Sequence, residues 1–216
     1  MYAVFAKRDV MNKYFTFVLA ILLVSGFAAT QAKADLVYNF NSISNGVSPT
    51  SGIPWLTATF HTVAPGTVEL TLSPSLEVGS EFIGSFAVNS LYTGTLVATY
   101  SSASNPLFVA NTTEYDDKLQ GAGTGNTTYD VVLRWDANHF NGTTGSVTYS
   151  LTGDSITEGN FTSMYAHIQG IIPVTGGDTL SGLAQGTLAP VPIPSAVWLL
   201  GTGLIGLIGF RKRIQI

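Results

Sequence analysis

Two neighbouring segments of this 216-residue chain alternate apolar and polar residues with a period of two. The apolar residues that share one face within segments 55–63 and 67–73 are Leu56, Ala58, Phe60, Val68, Leu70 and Leu72. Because successive side chains of a β-strand point to opposite faces, this period predicts two strands that each bury one face. The sequence Ala-Pro-Gly between them is typical of a turn, so the two segments are predicted to form a β-hairpin.

Similar strand signals recur along the middle of the chain. Further predicted strands are 36–40, 82–88, 91–100, 129–135, 147–151 and 163–172. About eight strands with Gly, Pro and Asn turns and no convincing helix predict an all-β domain. We expect an antiparallel two-sheet β-sandwich over residues 35–175, of either the jelly-roll or the immunoglobulin-like type. Residues 101–128 are predicted to be an exposed loop, and residues 176–190 a linker.

The charge of the chain is unevenly distributed. Residues 35–189 contain twelve acidic residues and two basic ones, Lys118 and Arg134, which gives this part a net charge of −10. Such an acidic domain has little means of neutralising phosphates, so no nucleic-acid partner is expected. The chain has no cysteine, which excludes disulfides and zinc–thiolate sites. The other seven basic residues lie in the two terminal segments, which we interpret as targeting signals.

The N-terminal segment has the composition of a secretory signal. Residues 14–29 form an uncharged apolar run that follows a lysine, and Ala32 and Ala34 then form a small-x-small site. A basic region, an apolar region and an A-x-A site in this order predict a signal peptide over residues 1–34, with cleavage before Asp35. The alternative interpretation is an N-terminal membrane anchor.

The C-terminal segment contains a second apolar run. Ile193 to Phe210 are 18 residues without a charge, and a basic stop of Arg211, Lys212 and Arg213 follows. As a helix this run would be about 27 Å long, which is enough to cross the hydrocarbon core of a bilayer. Positive residues after the span favour a cytoplasmic C-terminus. Together with the signal peptide, this predicts a domain anchored in the inner membrane and facing the periplasm.

The second apolar run also contains regularly spaced glycines. Gly201, Gly203 and Gly206 match the G-x-G-x-x-G spacing of dinucleotide-binding loops. That interpretation requires an acidic residue about 20 positions further on, and no Asp or Glu follows, so we reject it. Gly203, Gly206 and Gly209 recur every three residues and fall along one face of a helix, where they would allow close packing. The alternative is that they only face lipid.

The sequence around this run resembles a known sorting signal. The stretch VPIPSAVWLLGTGLIGLIGFRKR, residues 191–213, closely resembles the PEP-CTERM signal of Gram-negative bacteria in its V-P-x-P-S-A-x-W-L-L-G-x-G form. The residues that match the recognition element are Val191, Pro192, Pro194, Ser195, Ala196 and Trp198. Ile193 replaces the namesake glutamate, which leaves open which processing enzyme acts on it. Residues 134–171 look like the short β-rich proteins often found ahead of such tails.

This resemblance implies a destination more than a chemical activity. Proteins with such a signal are recognised by exosortase, an integral-membrane cysteine protease or transpeptidase, and are linked to surfaces that produce exopolysaccharide. For this chain the resemblance implies Sec-type export, processing at the inner membrane, and delivery to the cell surface or the extracellular matrix. We therefore expect a non-enzymatic surface protein without a cofactor. The alternative is a glycan-binding, lectin-like module with or without calcium.

Residues with metal-binding or catalytic chemistry give weaker signals. The three histidines, which lack the spacing of a metal motif, are His61, His139 and His167. The acidic residues of the long loop, which are alternatives as calcium ligands or solvated acids, are Glu114, Asp116 and Asp117. The loop Asp136–Gly142 begins like a calcium loop but lacks several of the required ligands. No G-x-S-x-G sequence supports a serine hydrolase, and no motif selects a carboxylate pair for a glycosidase.

Overall fold

The computed structural model describes residues 35–76, 80–104, 110, 112–119, 128–135, 140–141, 145–172, 178 and 180–190. These residues form an all-β domain with one short 3-10 helix, at Glu158–Asn160, and no α-helix. The strands are β1 (Leu36–Gly46), β2 (Leu56–Ala64), β3 (Thr67–Pro74), β4 (Phe82–Ser90), β5 (Val97–Ala103), β6 (Thr112–Glu114), β7 (Asp117–Lys118), β8 (Thr128–Tyr129), β9 (Val131–Arg134), β10 (Val147–Thr152), β11 (Phe161–Ile171) and β12 (Leu180–Leu188). Within these ranges no helix combines the length and the hydropathy that a bilayer crossing requires.

Ten of these strands are hydrogen-bonded into a single antiparallel sheet. Their order is β5-β10-β3-β2-β1-β12-β11-β4-β9-β6, and β7 and β8 form a separate two-stranded ribbon. The prediction of an antiparallel all-β fold is confirmed, but the predicted division into two stacked sheets is not, because the ten strands form one continuous sheet with β5 at one edge and β6 at the other. Period-two alternation shows that one face of a strand is buried, and it cannot distinguish two stacked sheets from one sheet that curls around its own core.

The hairpin of β2 and β3 is present as predicted. Phe60 pairs with Leu70 across the hairpin, and both residues are fully buried. Gly66 in the connecting turn has a φ of 76°, a left-handed conformation that glycine adopts without steric cost. On the other side of β3, Tyr149 of β10 also pairs with Leu70. The alternation of the sequence therefore assigned both the strands and their buried faces correctly here.

The inner face of the curled sheet encloses the main hydrophobic core. Phe60 of β2 stacks on Phe161 of β11 with ring centroids 4.6 Å apart, and Phe40 of β1 meets Phe86 of β4 at 6.0 Å. In a flat sheet, three strand spacings would separate β2 from β11 by about 14 Å, so the contact requires strong curling. The Tyr38 hydroxyl donates to the Phe161 carbonyl at 2.9 Å, which satisfies the one polar group of this buried ring.

The ribbon of β7 and β8 covers part of the outer face of the sheet. Leu119, just after β7, and Tyr129 of β8 pack with Val132 and Leu183 in a second, smaller cluster. The ring of Tyr129 also meets that of Tyr165 edge to face, with centroids 5.9 Å apart. Burial, and the nearby Tyr165, raise the pKa of Tyr129. Strands β9, β11 and β12 are therefore packed on both faces at this point.

The stretch predicted as a linker, 176–190, contains a central strand. Residues 180–188 form β12, which lies between β1 and β11 and pairs with both, so these residues are not a linker. The glycines that suggested flexibility allow close packing instead. A Cβ atom at Gly186 would come within 2.5 Å of the Met164 side chain, and one at Gly182 would collide with the backbone. Because glycine takes the place of larger apolar residues at these positions, the sequence of β12 does not show the alternation of apolar and polar residues by which strands are recognised.

The region from 91 to 128 is divided differently from the prediction. The predicted strand 91–100 begins only at Val97, and the end of β5 extends into the predicted loop 101–128. That loop also contains the short strands β6 and β7 and the first residue of β8. Strands of two or three residues are too short to show a period of two, so sequence alternation could not reveal them.

The two edge strands of the ten-stranded sheet come close together at one point. The amide of Ala98 in β5 donates to the Tyr115 hydroxyl at 3.0 Å, and this hydroxyl donates to the Ala98 carbonyl at 3.2 Å. Tyr115 directly follows β6, which is the other edge. Nearby, the amide of Ala110 donates to the Tyr149 hydroxyl at 2.7 Å. We call the junction formed by Ala98, Ala110, Tyr115 and Tyr149 the seam, and it nearly closes the sheet.

Candidate functional site

A pocket opens beside the seam. Its volume is about 500 Å³, and small-molecule sites typically measure about 300–1,000 Å³. The pocket is lined by residues 92–97, by Tyr115 and Asp116, and by Asp130. These residues come from the connection between β4 and β5 and the first residue of β5, from the turn after β6, and from the single position between β8 and β9. Three separate parts of the chain therefore build its walls.

The end of β4 positions one wall of the pocket. The Ser90 amide donates to Asp130 Oδ2 at 2.5 Å, and the Asp130 amide donates to Asn89 Oδ1 at 3.2 Å. The Tyr92 amide donates to Ser90 Oγ at 3.0 Å, and the Tyr92 hydroxyl accepts from the amide of Asp154 at 2.9 Å. Both the backbone and the ring of Tyr92 are thus held by hydrogen bonds.

The turn after β6 forms the opposite wall. The Tyr115 hydroxyl is held at the seam, yet 43% of this residue remains exposed to solvent. Asp116 is exposed and has a left-handed backbone with a φ of 52°. Among residues other than glycine, Asp and Asn adopt this conformation more readily than most. The turn therefore presents a ring and a carboxylate together to the pocket.

An ion cluster anchors the chain on either side of this turn. Arg134 Nε donates to Glu114 Oε2 at 2.5 Å. Its Nη2 donates to Asp117 Oδ2 at 2.6 Å and to the Lys118 carbonyl at 2.7 Å. Hydrogen bonds with the backbone of Lys118 and with the side chains of Glu114 and Arg134 hold the pKa of Asp117 at about 2. Burial lowers the pKa of Arg134, but its hydrogen bonds with the two carboxylates outweigh burial and raise it.

The three calcium candidates of the long loop do not act together. Glu114 and Asp117 are bound to the guanidinium of Arg134, whereas Asp116 lines the pocket. Two carboxylates that an arginine already neutralises are poor ligands for a cation. Within the described ranges, no group of three or more His, Cys, Asp or Glu side chains is placed to hold a metal ion. The loop Asp136–Gly142 lies mostly outside the described residues.

The two described histidines have different environments. His61 is exposed, and its Nδ1 lies 2.6 Å from Asp35 Oδ1. His167 of β11 is buried, and its Nε2 has no hydrogen-bond partner among the described residues. Burial lowers the pKa of His167, and the positive charge of Arg134 lowers it further, which favours the neutral imidazole. His139 lies outside the described residues.

The most deeply buried carboxylate has a structural role. Glu81 is fully buried and accepts hydrogen bonds of 2.5 to 3.3 Å from the amides and hydroxyls of Thr50 and Ser51. Burial raises the pKa of Glu81, but these hydrogen bonds, foremost that from the Ser51 side chain, outweigh burial and lower it. The Trp55 indole donates to the Ser51 carbonyl at 3.0 Å, so the network also fixes the entry into β2.

The composition of the pocket suits a ligand that has both apolar faces and polar groups. Tyr92 and Tyr115 contribute aromatic side chains to the lining, and Leu96 and Val97 contribute aliphatic ones. Asp116 and Asp130 offer carboxylate oxygens as hydrogen-bond acceptors. The described lining contains no histidine, lysine or arginine. The pocket can therefore accept hydrogen bonds from a ligand and pack against its apolar faces.

The sorting residues predicted from the sequence lie outside the described residues. They are Ala32 and Ala34, the motif residues Val191 to Trp198, the glycines Gly201 to Gly209, and the basic stop Arg211 to Arg213.

Of the pocket residues, only Asp116 was a sequence candidate. Tyr92 and Asp130 do not belong to any sequence motif. The one sequence signal that could have pointed to the pocket was the concentration of acidic and aromatic residues in the irregular stretch that includes Tyr115. Comparisons with protein-family models, with curated proteins and with solved structures found no match to this chain.

Proposed function

We propose that this chain is an exported, non-enzymatic surface protein whose C-terminal signal is processed by exosortase. The observation that carries the proposal is the tail of residues 191–213, which joins a V-P-x-P motif, an uncharged run and a basic cluster in the PEP-CTERM order. The A-x-A site before Asp35 supports export through a Sec-type signal. The acidic domain between the two signals would be delivered to the cell surface or to an exopolysaccharide matrix.

The limits of the folded domain support two cleavages. β1 begins at Leu36 and β12 ends at Leu188, so the described strands begin and end close to the two predicted signals. The amide of Ala189 donates to the carbonyl of Val37 at 2.7 Å, which brings the first and last described residues to the same end of the sheet. Cuts before Asp35 and after Pro190 would remove no residue of a described strand. A processed protein would therefore keep its complete sheet.

Intact-mass spectrometry tests the proposal in a Gram-negative host that carries an active exosortase. The expected mature protein begins at Asp35 and lacks residues Arg211 to Arg213. The double variant P192A/P194A is expected to keep its tail, because the recognition element is lost. The matched control P190A changes the neighbouring proline outside the motif and is expected to be processed normally. A wild-type protein that retains its basic tail beside an active exosortase would refute the sorting proposal.

A second candidate function is glycan binding, and the pocket beside the seam is the observation that favours it. Two tyrosines and two carboxylates line a space of small-molecule size. Pockets of this kind bind sugars through aromatic surfaces and oriented acceptors. Isothermal titration against exopolysaccharide of the host, with and without Ca²⁺, tests this function. No heat under either condition removes it, and the release of shorter saccharides during the titration would show a hydrolase instead.

A further inference from the structure

The charge of the pocket limits the ligands that it can bind. Asp116 and Asp130 contribute two carboxylates, and the described lining residues carry no positive charge. The domain around the pocket is itself strongly acidic. An anionic ligand such as a uronate polymer would therefore be repelled, and a cationic one attracted.

The two basic residues of the domain do not change this balance. Arg134 is held by Glu114 and Asp117 in the ion cluster, so its charge is already compensated. Lys118 is exposed, but it does not line the pocket. The described lining thus holds two aspartates and no lysine or arginine. Such carboxylates are suited to accept hydrogen bonds from an ammonium group.

The tyrosine rings are held in place before any ligand arrives. The Tyr92 hydroxyl accepts from the Asp154 amide, and the Tyr115 hydroxyl is bonded to both backbone groups of Ala98. Rings that are already fixed lose little conformational freedom on binding, which favours affinity. Rigid aromatic surfaces next to acceptors match a pyranose unit, because a sugar ring has an apolar face and a polar rim.

We propose that this pocket binds an amino-sugar unit with a free, protonated amine, whose ammonium group is recognised by Asp116 and Asp130 while its ring packs on Tyr92 and Tyr115. This inference rests on the glycan-binding function proposed above and narrows it to one class of saccharide. N-acetylation of the amine would remove the positive charge of the ligand. A carboxylate on a sugar without an amine would make the ligand negative.

Isothermal titration with four defined probes tests the inference on the mature protein. The probes are a glucosamine trisaccharide, an N-acetylglucosamine trisaccharide, a galacturonate trisaccharide and trilysine, each at a pH where the free amines are protonated. We expect the glucosamine trisaccharide to bind at least about tenfold more tightly than its N-acetylated form, because a charged hydrogen bond is lost on acetylation. Added salt should weaken the binding of the charged glucosamine trisaccharide and leave the binding of its uncharged N-acetylated form unchanged.

Single substitutions locate the binding to this pocket. D116N and D130N remove one charge each, and each is expected to weaken binding of the glucosamine trisaccharide about fivefold. Asparagine tolerates the left-handed backbone at 116, and at 130 its side-chain oxygen can still accept from the Ser90 amide. D178N changes an exposed aspartate outside the described lining and is expected to leave binding unchanged. Thermal melting of each variant checks that the fold is intact.

The possible failures are distinguishable. Equal affinity for the free and the N-acetylated trisaccharide would overturn the amino-sugar inference and leave the glycan-binding function standing. Tighter binding of trilysine than of any saccharide would assign the pocket to basic peptides and overturn the inference. No binding of any of the three trisaccharides would overturn the inference, and the glycan-binding function would fall with it only if the host exopolysaccharide also gave no heat. Folded D116N and D130N proteins with wild-type affinity would place the binding site elsewhere and overturn the assignment.

Discussion

The centre of the sheet and the seam are closed by different means. At the centre, β12 pairs with β1 along a backbone ladder that extends from Tyr38 opposite Leu188 to Gly46 opposite Gly182. At the seam, the Tyr115 hydroxyl bridges to Ala98, and the described residues show no ladder between β5 and β6. In a ladder, the backbone N–H and C=O groups of two strands hydrogen-bond to each other and hold the strands side by side. A junction made by side chains keeps the two backbones further apart, which leaves space for a pocket. Stability and binding are therefore expected to depend on different parts of this domain.

The largest effect on stability is expected at the centre, from Phe60→Ala. This fully buried ring stacks on Phe161 and meets Tyr38 edge to face. Its loss should lower the free energy of unfolding by about 3–5 kcal/mol, because a cavity replaces the ring. Val63→Ala on the same strand is the control, since Val63 is 47% exposed, and it should cost less than about 0.5 kcal/mol. Urea unfolding measures both values, and equal costs would refute a core that is concentrated at the centre.

The next effect is expected from Glu81→Gln. The amide group of glutamine cannot accept hydrogen bonds from all the donors that surround the Glu81 carboxylate. We therefore expect the free energy of unfolding to fall by about 2–3 kcal/mol at neutral pH. The pKa of Glu81 is lowered in the folded state from the ordinary value of 4.5. Its contribution is therefore complete above about pH 4.5 and is lost as the pH falls through the folded-state pKa. Urea unfolding between pH 7 and pH 3 should show this loss in the wild type and not in the variant.

A smaller effect is expected at the seam, from Tyr115→Phe. The change removes the two hydrogen bonds to Ala98 and keeps the ring, so the free energy of unfolding should fall by about 1 kcal/mol. Tyr100→Phe, on the neighbouring strand β5, is the control and should cost less than about 0.5 kcal/mol. If binding depends on a fixed ring, titration should show a weaker ligand affinity for Tyr115→Phe alone. A stability loss as large as that of Phe60→Ala would contradict the division between centre and seam.

The smallest effect concerns the ion cluster that anchors the pocket turn. Asp117 has a pKa of about 2 in the folded protein, below the ordinary value of 3.8. Its contribution to stability is present above the unfolded-state value and is lost only as the pH falls through about 2. Titration of the Asp117 carboxyl carbon by NMR should therefore give a midpoint near 2. A midpoint at the ordinary value would mean that neither the backbone of Lys118 nor the side chain of Arg134 holds this carboxylate in solution.

The sequence predicts those parts of the fold in which neighbouring residues decide the outcome. The hairpin of β2 and β3 was predictable because alternation and a turn residue lie within 19 consecutive residues, from Trp55 to Ser73. β12 was not predictable, because Gly182 and Gly186 are required by the close approach of distant residues such as Met164. The single curled sheet was missed for the same reason, since strand order depends on which distant edges pair.

The candidate site was less accessible to sequence reasoning than the fold. Asp116 was noticed because it lies beside Glu114 and Asp117, but the described residues do not support the calcium alternative, because Arg134 pairs with both of these neighbours. The pocket instead combines Asp116 with Asp130 and with residues 92–97, which only the tertiary structure brings together. No local motif marks such a site. The predicted sorting signals differ from the pocket, because each of them is contained in one continuous stretch of sequence.

The position of β12 has a consequence for how this protein can be made. The last described strand, β12, lies between β1 and β11. Tyr38 of β1 can therefore pair with Leu188 only after the chain has been made as far as β12. Pairing over so long a sequence separation is slow, and β1 and β11 each expose an unpaired edge until it is complete. A chain that is stopped or cut before residue 180 would keep these edges open and aggregate with other copies. The facing edges of β1 and β11 are therefore covered only after residues 180–188 have been made.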